Sequence, residues 1–129
     1  MKHKKAVEFC KTWLNAWTGN KPEKLITFYS KNCYYQDPAN PEGIRGREKL
    51  RTYLKKLFRA NPNWEWNLME LYPTEKGFVF KWKAKIPIKN EVLIEYGIDI
   101  VEIKNQKILR NEVYFDRSRL QRLVEEEKS

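Results

Sequence analysis

From Trp64 onward the chain alternates, and this alternation constrains the fold more than any other feature. WEWNLMELY, FVFKWKAKI, EVLIEYGIDIVEI and ILRNEVYFD are four runs rich in β-branched and aromatic residues, separated by the turn segments TEKG, PIKN and KNQK. Runs of that kind between such turns predict consecutive antiparallel strands. In FVFKWKAKIPIK, Lys81, Lys83 and Lys85 fall at every second position, which gives the strand one wet face and turns Phe78, Phe80, Trp82 and Ala84 inward. Trp64, Trp66 and Leu68 share the inner face of the preceding run. In the third run Gly97, Asp99, Val101 and Ile103 stand against Ile94, Tyr96, Ile98 and Ile100, so both faces are largely apolar. A strand apolar on both sides of an antiparallel sheet needs a second cover, and a homodimer formed through the outer sheet face would supply it.

Ahead of the strands the spacing is helical. Residues 4–18 carry Val7, Phe9, Cys10, Trp13, Leu14 and Trp17 mostly three and four apart, an amphipathic helix that Gly19 stops. Asn20 is expected to cap a second helix, with Pro22 in its first turn, Glu23 in a capping box, and Leu25, Ile26, Phe28 and Tyr29 buried. CYYQD reads as a short strand. After a Gly/Pro/Asn-rich turn, GREKLRTYLKKLFRA is a third helix with Leu50, Tyr53, Leu54, Leu57 and Phe58 on one side, ended by Asn61-Pro62. LQRLVEEEKS reads as a short helical turn that trails, from about residue 121, into a charged flexible tail. Three helices followed by a run of antiparallel strands make an α+β fold. Without a linker or internal repeat, residues 1–129 form a single domain.

The net charge of +9 raises the question of a nucleic-acid partner. The lysines are spread along solvated faces, however, and no helix-turn-helix, zinc-finger or RNP-type motif accompanies them, so nucleic acid is not the expected partner. No stretch approaches the roughly 20 apolar residues of a membrane helix. MKHKKAVEFCKTWLNAW mixes charge with apolar residues in the manner of an amphipathic helix rather than a signal peptide, and the expected compartment is the cytoplasm. Cys10 and Cys33 stand apart, without a CxxC spacing, and are expected to be buried free thiols. His3 is the single histidine. No metal site and no Ser-His or Cys-His pair is therefore expected; acid–base chemistry would fall to carboxylates, Tyr or Lys, without a cofactor.

Two carboxylates stand in apolar surroundings. Asp37, in YYQDPANPEGIRGRE, precedes a proline and is held extended; it is either a turn residue accepting backbone amides or a pocket carboxylate. Asp99 lies in the middle of the most apolar strand, where it must meet a donor or stay protonated. Asn111 shares a face with Leu109, Val113 and Phe115 in ILRNEVYFD, and an amide there needs partners.

Three short helices, an aromatic-Asp-Pro strand end, a GRE helix start and a closing run of four strands resemble the NTF2-like superfamily, from about Val7 to Leu120. That group includes ketosteroid isomerases, SnoaL-like polyketide cyclases and limonene-epoxide hydrolases. The resemblance implies a cone: three N-terminal helices packed on a strongly curved, mostly antiparallel sheet that encloses a pocket. The nearest local likeness is to ketosteroid isomerase, whose motif lies without a gap on Tyr29 to Leu54. It implies Asp37 as general base and Asp99, in GIDIV, as the protonated acid of an oxyanion hole. Trp13 stands where that family has its oxyanion-hole tyrosine and Leu54 where it has a supporting tyrosine, which weighs against steroid isomerisation. The epoxide hydrolases need an Asp–Arg–Asp set with the arginine beside an aspartate on the same face of one strand, and the positions that flank Asp99 at that spacing are Gly97 and Val101. The histidine of the SnoaL-like cyclases has no counterpart within the fold.

What the resemblance and the strand parity leave is an aromatic pocket. Tyr35, Asp37, Trp66, Trp82, Asp99, Asn111 and Phe115 are expected to point into the cone, with Trp13 and Trp17 covering it from the first helix, and a small apolar molecule is the expected ligand. Three functions fit such a cone. One is cofactor-free proton transfer of isomerase or cyclase type, with Asp37 as base and Asp99 and the Trp13 indole as donors. The others are ligand binding without turnover, and protein interaction through the outer sheet face with the cone filled by side chains.

Overall fold

A computed structural model of the chain describes residues 1–128. Among the described residues there are four helices, α1 (His3–Trp17), α2 (Pro22–Ile26), α3 (Arg47–Ala60) and α4 (Ser118–Lys128). The six strands are β1 (Tyr29–Asp37), β2 (Asn40–Arg45), β3 (Glu65–Pro73), β4 (Gly77–Ile88), β5 (Glu91–Lys104) and β6 (Lys107–Tyr114). They form one curved, unclosed sheet in the order β2-β1-β6-β5-β4-β3. Only β1 and β6 run parallel; every other neighbouring pair is antiparallel. The α+β class and the four alternating C-terminal strands follow the periodicity of the sequence.

Helix α1 lays Ala6, Cys10, Trp13, Leu14, Ala16 and Trp17 into the hollow of the sheet, and α3 adds Leu50, Leu54 and Phe58. From β4, Phe78, Phe80, Trp82 and Ala84 meet them, all buried. Burying a large side chain of this kind is worth about 1.5–3 kcal/mol, so this helix-to-sheet layer carries the fold. Both cysteines are buried and free, and burial raises both thiols above their ordinary range. No helix among the described residues is long and apolar enough to cross a membrane.

The fold departs from the sequence expectations in five places. Asn20 does not cap α2: it takes a left-handed φ of 60°, and Glu23 reaches Arg51 and Lys55 of α3 at 2.7 and 2.8 Å instead of closing a capping box. Helix α2 ends at Ile26, so Tyr29 opens β1 rather than extending the helical face. The Gly/Pro/Asn-rich turn contains a strand of its own, β2, which pairs with β1. Gly43 makes that hairpin possible, since a Cβ there would lie 2.3 Å from the Tyr34 ring. A bulge in the β5–β6 ladder, between Glu102 and Ile103, puts Ile108 in the core and takes Leu109 off that face. Lastly, the chain from Ser118 is a full helix where a short turn and a tail were expected, because Leu120, Leu123 and Val124 pack against the core.

Candidate functional site

The β1–β2 hairpin positions Asp37. Its Oδ1 accepts the backbone amides of Ala39 and Asn40 and the Asn40 side-chain amide, at 3.0, 3.0 and 2.9 Å. Its Oδ2 accepts the Tyr35 hydroxyl at 2.8 Å and the Tyr53 hydroxyl at 2.5 Å. The turn residue and the pocket carboxylate are thus one and the same: Asp37 closes the turn with one oxygen and holds two phenols with the other. Burial and the adjacent Asp37 charge push both the Tyr35 and Tyr53 hydroxyls above the usual phenol range, so they remain donors.

Strand β5 positions Asp99. The backbone of Asp99 lies between Phe80 of β4 and Val113 of β6, and its carboxylate meets side chains alone. Trp82 Nε1 donates to Oδ1 at 2.7 Å, and Asn111 Nδ2 donates to Oδ2 at 2.8 Å. Asn111 in turn accepts the Tyr29 hydroxyl at 2.8 Å. Gly97 lets the Trp82 ring lie across the neighbouring strand, for a Cβ at Gly97 would come within 2.1 Å of that ring. Desolvation pushes the Asp99 carboxyl up to about 7; the two donors oppose the rise and the charge of Asp37 adds to it.

Both carboxylates line one cavity of about 150 Å³, a size that in an apolar protein interior admits a single ring. Of the residues expected from the sequence, Trp13, Trp17, Tyr35, Trp66, Trp82 and Phe115 line it together with Asp37 and Asp99. Asn111 does not; it stands behind Asp99 and orients it. The tryptophans interlock edge-on, Trp66 with Trp82 at 4.8 Å and Trp82 with Phe115 at 5.3 Å between ring centroids. Two indole donors of the wall, Trp13 Nε1 and Trp66 Nε1, are buried without a hydrogen-bond partner, a state that is costly unless something fills it. The Trp13 indole also sits near enough to the Tyr29 oxygen to oppose the rise that burial imposes on that phenol, but no well-aligned bond joins them.

Tyr53, Arg117 and Leu120 also line the cavity, although nothing in the sequence pattern places them there. Tyr53 sits on the apolar face of α3 and reads as core; only the closeness of α3 to the hairpin could have marked it. Arg117 falls between the last strand run and LQRLVEEEKS, and Leu120 opens that segment, which reads as a short helical turn; neither pattern marks a pocket residue. No group of three or more His, Cys, Asp or Glu side chains that could hold a metal occurs among the described residues.

The SnoaL-like domain model matches residues 10–111. This chain belongs to the SnoaL-like family. Among solved structures it is similar to a hypothetical protein with a ketosteroid isomerase-like fold from Catenulispora acidiphila, in complex with trimethylamine, at 19% identity over 86% of this chain and 87% of that one, with a TM-score of 0.77. TerC, co-crystallised with polyporic acid, matches at 11% identity over 93% and 98%, with a TM-score of 0.79. A provisionally assigned SnoaL-like polyketide cyclase from Shewanella putrefaciens matches at 12% over 95% and 86%, also with a TM-score of 0.79. At such identities the likeness concerns the fold, and it is the NTF2-like cone. No curated protein matches this chain in sequence.

Proposed function

We propose that this SnoaL-like protein binds a small, largely apolar molecule with an oxygen acceptor in its aromatic cavity, and exchanges a proton with it through Asp99. The observation that carries this reading is the set of partners around Asp99. Both are N–H donors, so the acid form's own O–H is left to whatever occupies the cavity. An acid–base group works best with a pKa near the operating pH, and the Asp99 carboxyl, pushed up to about 7, meets that condition: its ionised form takes the proton from the carbon beside the carbonyl, and its acid form returns one. The unpartnered N–H group of Trp66 supplies a further donor for a carbonyl or enolate oxygen, whereas that of Trp13 lies beside the Tyr29 oxygen. Asp37, the base that the resemblance implies, is the weaker assignment: five donors occupy it, and a substrate proton reaches it only by displacing one.

That saturation also favours a second reading, binding without turnover, because Asp99 is then the one carboxyl of the cavity left to act, with no second one to work beside it. Deuterium uptake separates the two. One-ring ketones would be titrated by NMR and then followed in D2O for exchange at the carbon beside the carbonyl. Under the first reading the wild type binds and exchanges, and Asp99→Asn binds without exchange. Binding with no exchange in either protein supports the second reading. No binding by the wild type, or exchange undiminished in Asp99→Asn, sinks the proton-transfer assignment.

We also propose that a second copy covers the outer sheet face. Val92 (59% exposed) and Tyr96 (50%), with Ile98 and Tyr114, leave an apolar row there, and such rows mark interaction surfaces. Light scattering should give twice the chain mass, and Tyr96→Lys with Ile98→Glu should halve it; a monomeric wild type would end this proposal.

A further inference from the structure

We infer that the cavity's ligand bears an anionic oxygen group, a carboxylate or its equivalent, on a one-ring apolar body, and that Arg117 at the cavity mouth receives it. The inference rests on the reading of the cavity as a binding site and specifies the class of molecule that enters it.

Arg117 is the one Lys, Arg or His among the residues that line the cavity. It is half-buried, in the short segment between Phe115 and α4. Together with Trp64 and Leu120 it lines both the cavity and an open groove bounded by the α3–β3 turn, the end of β4 and α4. Residues shared by an interior space and a surface groove form the doorway between them. Arg117 is also unspent. Arg51, Arg110 and Arg119 are all committed to glutamates, whereas the Arg117 guanidinium enters none of the described ion pairs or side-chain hydrogen bonds.

Its charge is nevertheless felt inside, where it opposes the rise in the Tyr53 hydroxyl that burial and Asp37 impose. Asp37 does not answer it, since both oxygens of that carboxylate already serve the turn and the two tyrosines. A planar cation with five donors, beside apolar Trp64 and Leu120, suits a planar oxyanion that it can hold through two parallel bonds. An anion seated there leaves its ring to the tryptophan-lined interior, whose wall carries the Asp99 acid.

Benzoate and its neutral counterpart benzyl alcohol test this when titrated, by NMR or calorimetry, into the full chain and three variants. The wild type should bind benzoate about tenfold more tightly than benzyl alcohol, the advantage of one charge-assisted contact. Arg117→Gln should bring benzoate down to the level of the alcohol and change the alcohol by less than about twofold, and Arg117→Lys should keep part of the preference. Trp82→Ala should weaken both probes, which localises them to the cavity. Equal affinity for the two probes in the wild type, or an equal loss of both in Arg117→Gln, overturns the inference while leaving the cavity as a site for neutral molecules. Benzoate binding that ignores Trp82→Ala places the anion elsewhere and overturns it as well. Binding of neither probe removes the pocket reading and this inference together.

Discussion

Asp37 and Asp99 are the same side chain in the same cavity, buried to a similar degree at 7% and 4% exposure, yet their surroundings differ completely. Asp37 ends an edge hairpin, where turn amides are free to point at it, and collects five donors. Asp99 lies mid-strand, flanked by β4 and β6, where neighbouring amides are spent in the ladder. Only side chains reach it, and two do. Burial therefore does not decide what these carboxylates can do. Position in the sheet decides how many donors each receives, and the donor count separates an anchored carboxylate from one whose acid O–H is left for a ligand.

The largest effect should appear in the pH dependence of stability. The folded Asp99 carboxyl is pushed from an ordinary 3.8 to about 7, so the folded state binds more protons than the unfolded chain between those values. The contribution of Asp99 is fully present below about pH 4 and is lost as pH rises through about 7. Urea unfolding should show the wild type losing on the order of 4 kcal/mol, as an upper limit, relative to Asp99→Asn between pH 4 and 8. The asparagine is accommodated if the Asn111 amide reverses and the Tyr29 hydroxyl turns to match it. Because the charge of Asp37 raises Asp99, Asp37→Asn should lower the Asp99 midpoint in a carboxyl NMR titration. A stability difference flat across this window would mean that its two donors offset the burial of Asp99 in full, and the contrast drawn from donor counts would collapse.

Much of the Asp99 side of this comparison is legible in the sequence, and much of the Asp37 side is not. Alternation along β4 and β5 puts Trp82 and Asp99 on the inner face, since residues two apart on a strand point the same way. The registry that makes Trp82 the donor, and the close approach at Gly97, depend on how adjacent strands align, which alternation leaves open. Around Asp37 the decisive partners come from elsewhere in the chain. Tyr53 lies on a helix whose apolar face reads as plain core, and its hydroxyl acquires meaning only when α3 crosses the hairpin. The β5–β6 bulge that exchanges Ile108 for Leu109 is likewise invisible to parity, because one inserted residue reverses every assignment beyond it. The C-terminal helix is hidden in the sequence for a further reason. Its charge density masks the three apolar residues, Leu120, Leu123 and Val124, that fasten it.

An intermediate effect should come from Gly97→Ala. The added Cβ would sit 2.1 Å from the Trp82 ring, and relieving such an overlap in a packed interior costs about 1–3 kcal/mol. The ring must move, and its 2.7 Å bond to Asp99 goes with it. That bond lowers the Asp99 pKa, so the variant should titrate Asp99 still higher than the wild type while losing stability. A destabilised variant with an unchanged Asp99 midpoint would show that the indole is not what holds the carboxyl down.

The smallest effect should come from Tyr53→Phe, and the informative measurement sets it beside Tyr35→Phe. Both hydroxyls donate to Asp37 Oδ2, so each variant leaves that oxygen one phenolic donor, and the turn bonds on Oδ1 are untouched. The sites differ in access: Tyr35 is 2% exposed, whereas Tyr53 is half-buried at the cavity rim. Water can replace the Tyr53 hydroxyl but not that of Tyr35. Hydrogen bonds to a charged acceptor are worth about 1.5–3 kcal/mol when nothing substitutes for them, so Tyr35→Phe should fall in that range. Tyr53→Phe should cost about 1 kcal/mol or less, because a bridging water recovers most of the contact. Should Tyr53→Phe prove the costlier of the two in urea unfolding, the 2.5 Å bond from α3 would be the main anchor of Asp37. Displacing it with a ligand would then be the step that frees a base, and Asp37 would regain the role that Asp99 holds here.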